Sequence, residues 1–149
     1  MIFSCEGDVR RWLRAKAQGG VWWIENGRGG TFGFPDAVVS HSGRAVFLEL
    51  KIMDRGKIEA HPSQLNAVDG LRRDGLPAAF LCGVKGAESD GQSLRLLGSG
   101  ALRRASEHVK VGRQTYECTA GDLEGVFSGS DLDAILESLV KNDFPGGFL

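Results

Sequence analysis

The stretch FGFPDAVVSHSGRAVFLELK (residues 32–51) constrains the fold more than any other segment, because it carries charged residues inside an alternating apolar pattern. Ser42-Gly43 separates two β-prone runs and predicts a hairpin with a two-residue turn. In the second run, aliphatic residues occupy every second position over 46–52, so that face is expected to lie in the core. Glu49 and Lys51 then lie side by side on the other face.

The length of the turn sets the partner of Asp36. A two-residue turn pairs His41 with Arg44 and places Asp36 opposite Glu49, with Cβ atoms roughly 5 Å apart. A three-residue turn would set Asp36 against Leu48 and direct its carboxylate into the core. The two-residue turn is therefore the favoured register.

Two opposed carboxylates repel each other, so this pair needs compensation. A shared proton, the ammonium of Lys51 or a divalent cation would each supply it. Mg²⁺ suits the geometry, because it binds one or two carboxylates together with waters and phosphate oxygens. An ion pair of Lys51 with Asp36 or Glu49 on an exposed sheet face is the other interpretation, and the spacing alone leaves both open.

The elements around the hairpin predict a mixed sheet flanked by helices, in the order α-β-β-β-α-β. The predicted segments are a helix over 5–18, a strand over 21–25, the hairpin, a charged loop over 53–61, a helix from Pro62 to about 73 and a buried strand over 77–84 parallel to its predecessor. Further on, strands are expected in 93–98 and 108–119. An amphipathic helix over 130–140, capped by Ser130, is expected to pack on the sheet.

Length, composition and charge argue against several classes of protein. The chain of 149 residues suits one domain, contains no apolar run long enough to span a bilayer and begins without a signal-peptide pattern, so an intracellular protein is expected. The three widely spaced cysteines predict reduced thiols rather than a zinc site or a disulfide framework. A net charge of −1 argues against coating nucleic acid by bulk charge, although residues 1–75 hold eleven Lys or Arg against nine Asp or Glu.

The segments GFPD (33–36) and ELK (49–51) together resemble the active-site signature of the PD-(D/E)XK nucleases, and within them the VRR-NUC (virus-type replication-repair nuclease) family. The resemblance covers about residues 5–84 and includes Glu6 near the start of the first helix and Gln64 early in the second. It implies a restriction-endonuclease-like α/β core within a single nuclease domain over 1–149, with a C-terminal extension over about 86–149.

The resemblance also implies roles at the hairpin. Asp36 and Glu49 would hold Mg²⁺ or Mn²⁺, with the backbone carbonyl of Leu50 as a third ligand. Lys51 would orient or help to deprotonate the attacking water and stabilise charge on the phosphorane. The reaction in this family leaves 5′-phosphate and 3′-hydroxyl ends.

Two further residues carry alternatives of their own. Gln64 would position Lys51 or the water, yet as the third residue of a helix it also suits a capping role. Glu6 would close the site, yet an acid in the first turn also suits the helix dipole. His61 is expected to be an exposed cap residue, and His41 a structural one.

A set of basic residues suits phosphate contacts that position DNA without reading its sequence. They are Arg10, Arg11 and Arg14 on the first helix, Arg28 in a glycine-rich stretch, and Arg55, Lys57, Arg72 and Arg73 beyond the hairpin. No recognition helix or zinc finger is evident in the sequence, so cleavage selective for DNA structure is expected rather than cleavage at a specific sequence.

The expected function is a Mg²⁺- or Mn²⁺-dependent endonuclease that cuts branched, Holliday-junction-like DNA in phage-type recombination or repair. Like the short family members, it would act as a homodimer, in the cytoplasm of a bacterial or phage-infected cell. Three alternatives stay open: a nuclease of flaps or DNA ends, a non-catalytic nucleic-acid-binding or protein-binding module such as a phage inhibitor, and a metal-free acid–base hydrolase.

Overall fold

A computed structural model describes residues 1–24, 34–110, 113–118 and 125–141. The elements in chain order are α1 (Glu6–Ala17), β1 (Val21–Trp23), β2 (Ala37–His41), β3 (Arg44–Met53), β4 (Lys57–Glu59), α2 (Pro62–Arg73), β5 (Ala78–Val84), β6 (Leu94–Leu97), α3 (Ser99–Arg104), β7 (Ser106–Lys110), β8 (Arg113–Glu117), β9 (Gly125–Phe127) and α4 (Leu132–Val140). In these ranges no helix has the length and apolar character needed to cross a bilayer.

Six strands form a mixed sheet in the order β1-β2-β3-β5-β6-β9. Only the β3–β5 pair within it is parallel, and α2 provides the crossover between these two strands. The strands β4, β8 and β7 form a second, smaller antiparallel sheet. The mixed, helix-flanked sheet predicted from the sequence is confirmed.

The β2–β3 hairpin has the predicted two-residue turn. His41 pairs with Arg44, and the ladder runs on to Ala37 opposite Leu48. Ser42 and Gly43 both have positive φ angles, 50° and 74°, as a type I′ hairpin turn requires. The register that brings Asp36 to the level of Glu49 is therefore the one adopted.

The central sheet separates two apolar layers. On one face α1 and α4 pack against alternate residues of β3 and β5, including Leu48, Leu50 and Leu81. On the other face α2, α3 and the small sheet pack against the intervening residues, such as Phe80 and Cys82. Helix α4 packs on the sheet as predicted.

Several local predictions were wrong. The segment 53–61 is not a charged loop: β3 extends to Met53 and a tight turn returns the chain as β4, with positive φ angles at Arg55 (51°) and Gly56 (77°). Helix α4 is preceded by Asp131 rather than capped by Ser130, and no side chain caps it. The helix α3 and the strand β9 were not predicted.

Of the three cysteines, Cys5 is exposed, whereas Cys82 and Cys118 are buried in the described part of the chain.

Candidate active site

The hairpin holds the Asp36 carboxylate against the backbone of β3. Asp36 lies one residue before β2, where backbone pairing with β3 has stopped. Its Oδ2 accepts a hydrogen bond of 2.9 Å from the Leu50 amide, so the side chain continues the hydrogen bonding between the two strands. The Asp36 carboxylate is thereby fixed next to Glu49, which precedes Leu50 on the same strand.

Glu49 is a buried carboxylate with only one of its oxygens hydrogen-bonded. The residue is 3% exposed. Its Oε1 accepts a hydrogen bond of 2.7 Å from Nε2 of Gln64. Its Oε2 has no hydrogen-bond donor in the described part of the chain. Buried polar atoms are nearly always satisfied, so Oε2 points to an additional ligand.

The surroundings of Glu49 favour its protonated form when no cation is bound. Burial raises the pKa of Glu49 most, and the nearby Asp36 carboxylate raises it further. The ammonium of Lys51 lowers the pKa, whereas a side-chain hydrogen bond between Glu49 and Asp36 raises it, and the net result is a pKa of about 8. Glu49 would therefore release its proton to solvent when a cation binds to it.

Lys51 is buried among carboxylates on the same sheet face. Its Nζ lies 3.8 Å from Oε1 of Glu49 and 3.9 Å from Oε1 of Glu6. Only 9% of its side chain is exposed. Both distances exceed a hydrogen bond, so the ammonium is held by electrostatic attraction and stays close to the carboxylates.

Gln64 has the capping role, and its side chain also contacts Glu49 rather than Lys51. Its Oε1 accepts a hydrogen bond of 2.9 Å from the His61 backbone amide, which completes a capping box at the start of α2. Its Nε2 donates to Glu49. The predicted cap role of His61 is confirmed, because its Nδ1 accepts a hydrogen bond from the Ser63 amide.

Glu6 reaches this cluster from the first turn of α1. Its side chain is half exposed, and its carboxylate approaches Lys51 rather than a helix N–H. Partial burial raises the pKa of Glu6, which the Lys51 ammonium lowers and the carboxylates of Asp36 and Glu59 raise. The five side chains singled out in the sequence are therefore brought together: Glu6, Asp36, Glu49, Lys51 and Gln64.

A cavity of about 190 Å³ opens beside Lys51 and Gln64. Its remaining lining residues were not singled out as active-site residues from the sequence, and they are Glu59, Ala60, His61, Arg113 and Gln114. Glu59 lies in the segment predicted as a loop. The alternation of exposed Lys57 and Glu59 with buried Ile58 was the available sign of a strand there.

The basic residues of α1 are partly engaged within the protein. The guanidinium carbons of Arg10 and Arg14 lie 4.5 Å and 5.4 Å from the ring centroid of Trp23. Arg11 forms an ion pair with Asp8. Arg10 and Arg14 therefore form one cationic cluster on Trp23.

The predicted DNA contact of Arg72 is wrong. Arg72 is 4% exposed, and it donates a hydrogen bond of 2.8 Å to the Ala78 carbonyl, so it supports the turn between α2 and β5. Arg55, Lys57 and Arg73 are exposed, as a DNA contact requires. Arg28 lies outside the described residues.

Trp22 stands on the same sheet face as the candidate site. It is opposite Val38, which is in turn opposite Phe47, two residues before Glu49 on β3. Trp22 is 58% exposed, which is unusual for so large an apolar side chain.

Comparison with known proteins identifies no family by sequence. No model of a known protein family matches the chain, and no curated protein matches it.

Comparison with solved structures finds a shared fold. The chain is similar to Hjc of the archaeal hyperthermophile Archaeoglobus fulgidus, a Holliday junction resolvase, with a TM-score of 0.55 and 13% sequence identity. The likeness covers 83% of this chain and 95% of the resolvase chain. At this identity the likeness concerns the fold, and the mixed, helix-flanked sheet is a restriction-endonuclease-like α/β fold.

Proposed function

We propose that this chain is a metal-dependent DNA endonuclease with Asp36, Glu49 and Lys51 as its catalytic residues. The observation that carries the proposal is the buried Glu49 carboxylate, which lies beside Asp36 with its Oε2 free of any hydrogen-bond donor among the described residues. Such an arrangement costs stability in the isolated protein. A cation between the two carboxylates accounts for it.

The donor set fits Mg²⁺ or Mn²⁺. Asp36 and Glu49 offer hard oxygen ligands, and the resemblance to the nucleases adds the Leu50 carbonyl as a third. Proteins commonly bind Mg²⁺ through one or two carboxylates, and water and phosphate oxygens complete its coordination shell. When bound, the ion would act as a Lewis acid and lower the pKa of a bound water.

The other side chains have roles that follow from their positions. The Lys51 ammonium lies beside the carboxylates, where it offsets negative charge that develops on a scissile phosphate. Gln64 donates to Oε1 of Glu49, so Oε2 would be the oxygen that holds the ion. Glu6 positions Lys51 from the side of α1. We assign Gln64 and Glu6 to positioning rather than to contact with substrate.

The substrate, assembly and origin of the enzyme are further parts of the proposal. The fold shared with a Holliday junction resolvase favours branched DNA as substrate. The resemblance to the short nuclease family members favours a homodimer as the working form. The signature in 33–36 and 49–51 favours a VRR-NUC-like enzyme of phage-type recombination or repair, acting in the cytoplasm of a bacterial or infected cell. Exposed Arg55, Lys57 and Arg73, with the Arg10 and Arg14 cluster, are the proposed phosphate contacts.

Cleavage of end-labelled DNAs tests the proposal. A four-way junction, a flap, a splayed arm, a plain duplex and a single strand are incubated with Mg²⁺, Mn²⁺ or EDTA. Symmetric nicking of the junction that requires the metal and is lost in Lys51→Ala is the expected result. Lys141→Ala is the matched control, because Lys141 follows α4 on the other side of the sheet and pairs with Glu137.

The remaining outcomes separate the parts of the proposal. Cutting of flaps or ends alone would retain the chemistry and overturn the junction substrate. A folded protein that cuts none of these DNAs with either metal would overturn the nuclease and favour the binding-module alternative.

A further inference from the structure

The cavity beside Lys51 continues into a second one. The second has a volume of about 210 Å³ and lies against the β7–β8 hairpin. The two cavities share three lining residues: His61, Arg113 and Gln114. They therefore form one trough, which begins at the candidate active site and ends beside Val109 and Lys110.

The far end of this trough is cationic. Lys110 pairs with Arg113 across the hairpin, so both side chains emerge on the same face of the small sheet. Both residues are exposed. Lys51 supplies a third cation at the near end. A row of cations along a trough suits the negatively charged backbone of a nucleic-acid strand.

Carboxylates moderate the row. At the near end, Nζ of Lys51 lies 3.8 Å from Oε1 of Glu49 and 3.9 Å from Oε1 of Glu6. Glu59 lines the cavity beside Lys51, and its Oε1 is 3.7 Å from Nε of Arg113. The pair is exposed, so the attraction is weak and a phosphate could compete for the guanidinium. The start of α2, also at the trough, adds the positive end of a 12-residue helix.

We propose that the β7–β8 hairpin is a DNA-binding arm, in which Lys110 and Arg113 bind backbone phosphates of the strand whose scissile phosphate lies at Lys51. The inference rests on the proposed function and assigns the trough as the path of the cut strand. It gives residues of the C-terminal extension a direct part in substrate binding. Val109, 74% exposed beside Lys110, adds an apolar contact for a sugar or base.

Binding measured without cleavage tests the arm. Two fluorescein-labelled probes are used, a four-way junction and a 20-nucleotide single strand. Each is titrated with protein in EDTA, and binding is followed by fluorescence anisotropy over a range of salt concentrations. Lys110→Ala and Arg113→Ala are each expected to raise the Kd about threefold to tenfold and to reduce the slope of log Kd against log salt by about 1. Arg113→Lys should retain most of the affinity, because it keeps the charge.

Two further variants sharpen the test. Glu59→Gln is expected to lower the Kd about twofold to fivefold, because it frees Arg113 from its carboxylate and removes a negative charge from the trough. Lys141→Ala should leave the Kd unchanged although it removes the same charge as Lys110→Ala.

The outcomes distinguish this inference from the proposed function. Wild-type affinity of Lys110→Ala and Arg113→Ala, in a protein that cuts DNA in a Lys51-dependent way, would overturn the arm and leave the nuclease intact. Equal losses in Arg113→Lys and Arg113→Ala would show that packing rather than charge matters, which also overturns the arm. A wild-type protein that neither binds nor cuts DNA would overturn both.

Discussion

At the scale of single residues, the site depends on one carboxylate that is costly to bury. Glu49 is buried on a sheet face beside a second carboxylate, and its Oε2 has no hydrogen-bond donor among the described residues. Its neighbours Lys51 and Gln64 relieve part of this cost through charge and through one hydrogen bond. A bound cation would offset the rest of this cost, because it would neutralise the two carboxylates.

The metal-free protein should lose stability as the pH rises. The pKa of Glu49 is about 8 in the folded protein against an ordinary 4.5, so the native state keeps a proton that the unfolded chain releases between these values. The free energy of unfolding in EDTA is therefore expected to fall from about pH 4.5 to about pH 8. Glu49→Gln removes this titration and should raise the free energy of unfolding at pH 8 by on the order of 2 kcal/mol.

Urea denaturation at pH 5 and pH 8 measures both effects. Glu59→Gln is the control, because it removes an exposed carboxylate from the cavity beside Lys51 and should alter the pH dependence little. A Glu49→Gln protein with the same pH dependence as wild type would contradict the assignment of the raised pKa to Glu49.

The two hydrogen bonds of Gln64 can be separated by substitution. Gln64→Glu keeps an acceptor for the His61 amide and so keeps the cap, but it replaces the donor to Glu49 with a repelling carboxylate. Gln64→Ala removes both bonds. We expect both variants to lose cleavage at least tenfold, and only Gln64→Ala to lose about 1 kcal/mol of helix-capping stability at pH 5, where added carboxylates are partly protonated.

Thermal melting and junction cleavage, measured on the same preparations of wild type, Gln64→Glu and Gln64→Ala, test this prediction. Full activity in Gln64→Glu would contradict a role for Gln64 at the site.

At the scale of elements, the hairpin carries the predictive information. The turn residues and the alternation of apolar residues determine its register, and the register alone brings Asp36 to Glu49. These relations are local, so they could be derived from one sequence. The cap role of Gln64 is local as well. Its bond to Glu49 joins α2 to β3 and was not predicted, since the resemblance implied a place beside Lys51 or the water.

Non-local pairing explains what the sequence did not reveal. Strand β4 pairs with β8, with Ile58 opposite Tyr116, and a three-residue strand of this kind has too short an alternation to be recognised alone. The cavity wall that contains Glu59 and Arg113 follows from this pairing. Arg72 was misassigned because a basic residue in the last turn of a helix is usually exposed, and burial depends on β5 packing beside it.

Two glycine-to-alanine substitutions, one in the hairpin turn and one in α2, are expected to change the free energy of unfolding in opposite directions. Gly43 has φ 74° and open space around its Cα, so Gly43→Ala adds backbone strain without a clash and should cost about 1 kcal/mol. Gly70 lies inside α2, also with open space, so Gly70→Ala should stabilise by about 0.5–1 kcal/mol. Urea denaturation measures both, and equal signs for the two variants would contradict the turn geometry.

At the scale of the whole molecule, the C-terminal extension contributes to both apolar layers. Leu94, Leu96 and Ile135 belong to the layer of α1, and Leu97 and Leu102 to the layer of α2. Trp12 of α1 also donates a hydrogen bond of 2.9 Å to the Gly129 carbonyl. The nuclease-like core over 5–84 therefore depends on the extension for its burial.

A chain truncated after residue 85 is expected not to fold. Truncation exposes β5, which lies between β3 and β6, along the whole edge that β6 covers. Circular dichroism and the dispersion of amide signals in NMR spectra measure the outcome. The full-length variant Trp12→Phe, which removes the bond to Gly129 and puts a smaller ring in the core, should cost about 2–3 kcal/mol and remain folded. Cooperative melting of the truncated chain would contradict the dependence.

The exposure of Trp22 gives this protein a built-in optical signal. The chain has three tryptophans, of which Trp12 is buried at 3% exposure and Trp23 is covered by two guanidinium groups. Collisional quenching by acrylamide should therefore act mainly on Trp22, and a ligand that covers the sheet face of Glu49 and Lys51 should shield this fluorophore. Intrinsic emission can thus follow occupancy of that face in unlabelled protein, with Trp22→Phe as the spectroscopic blank.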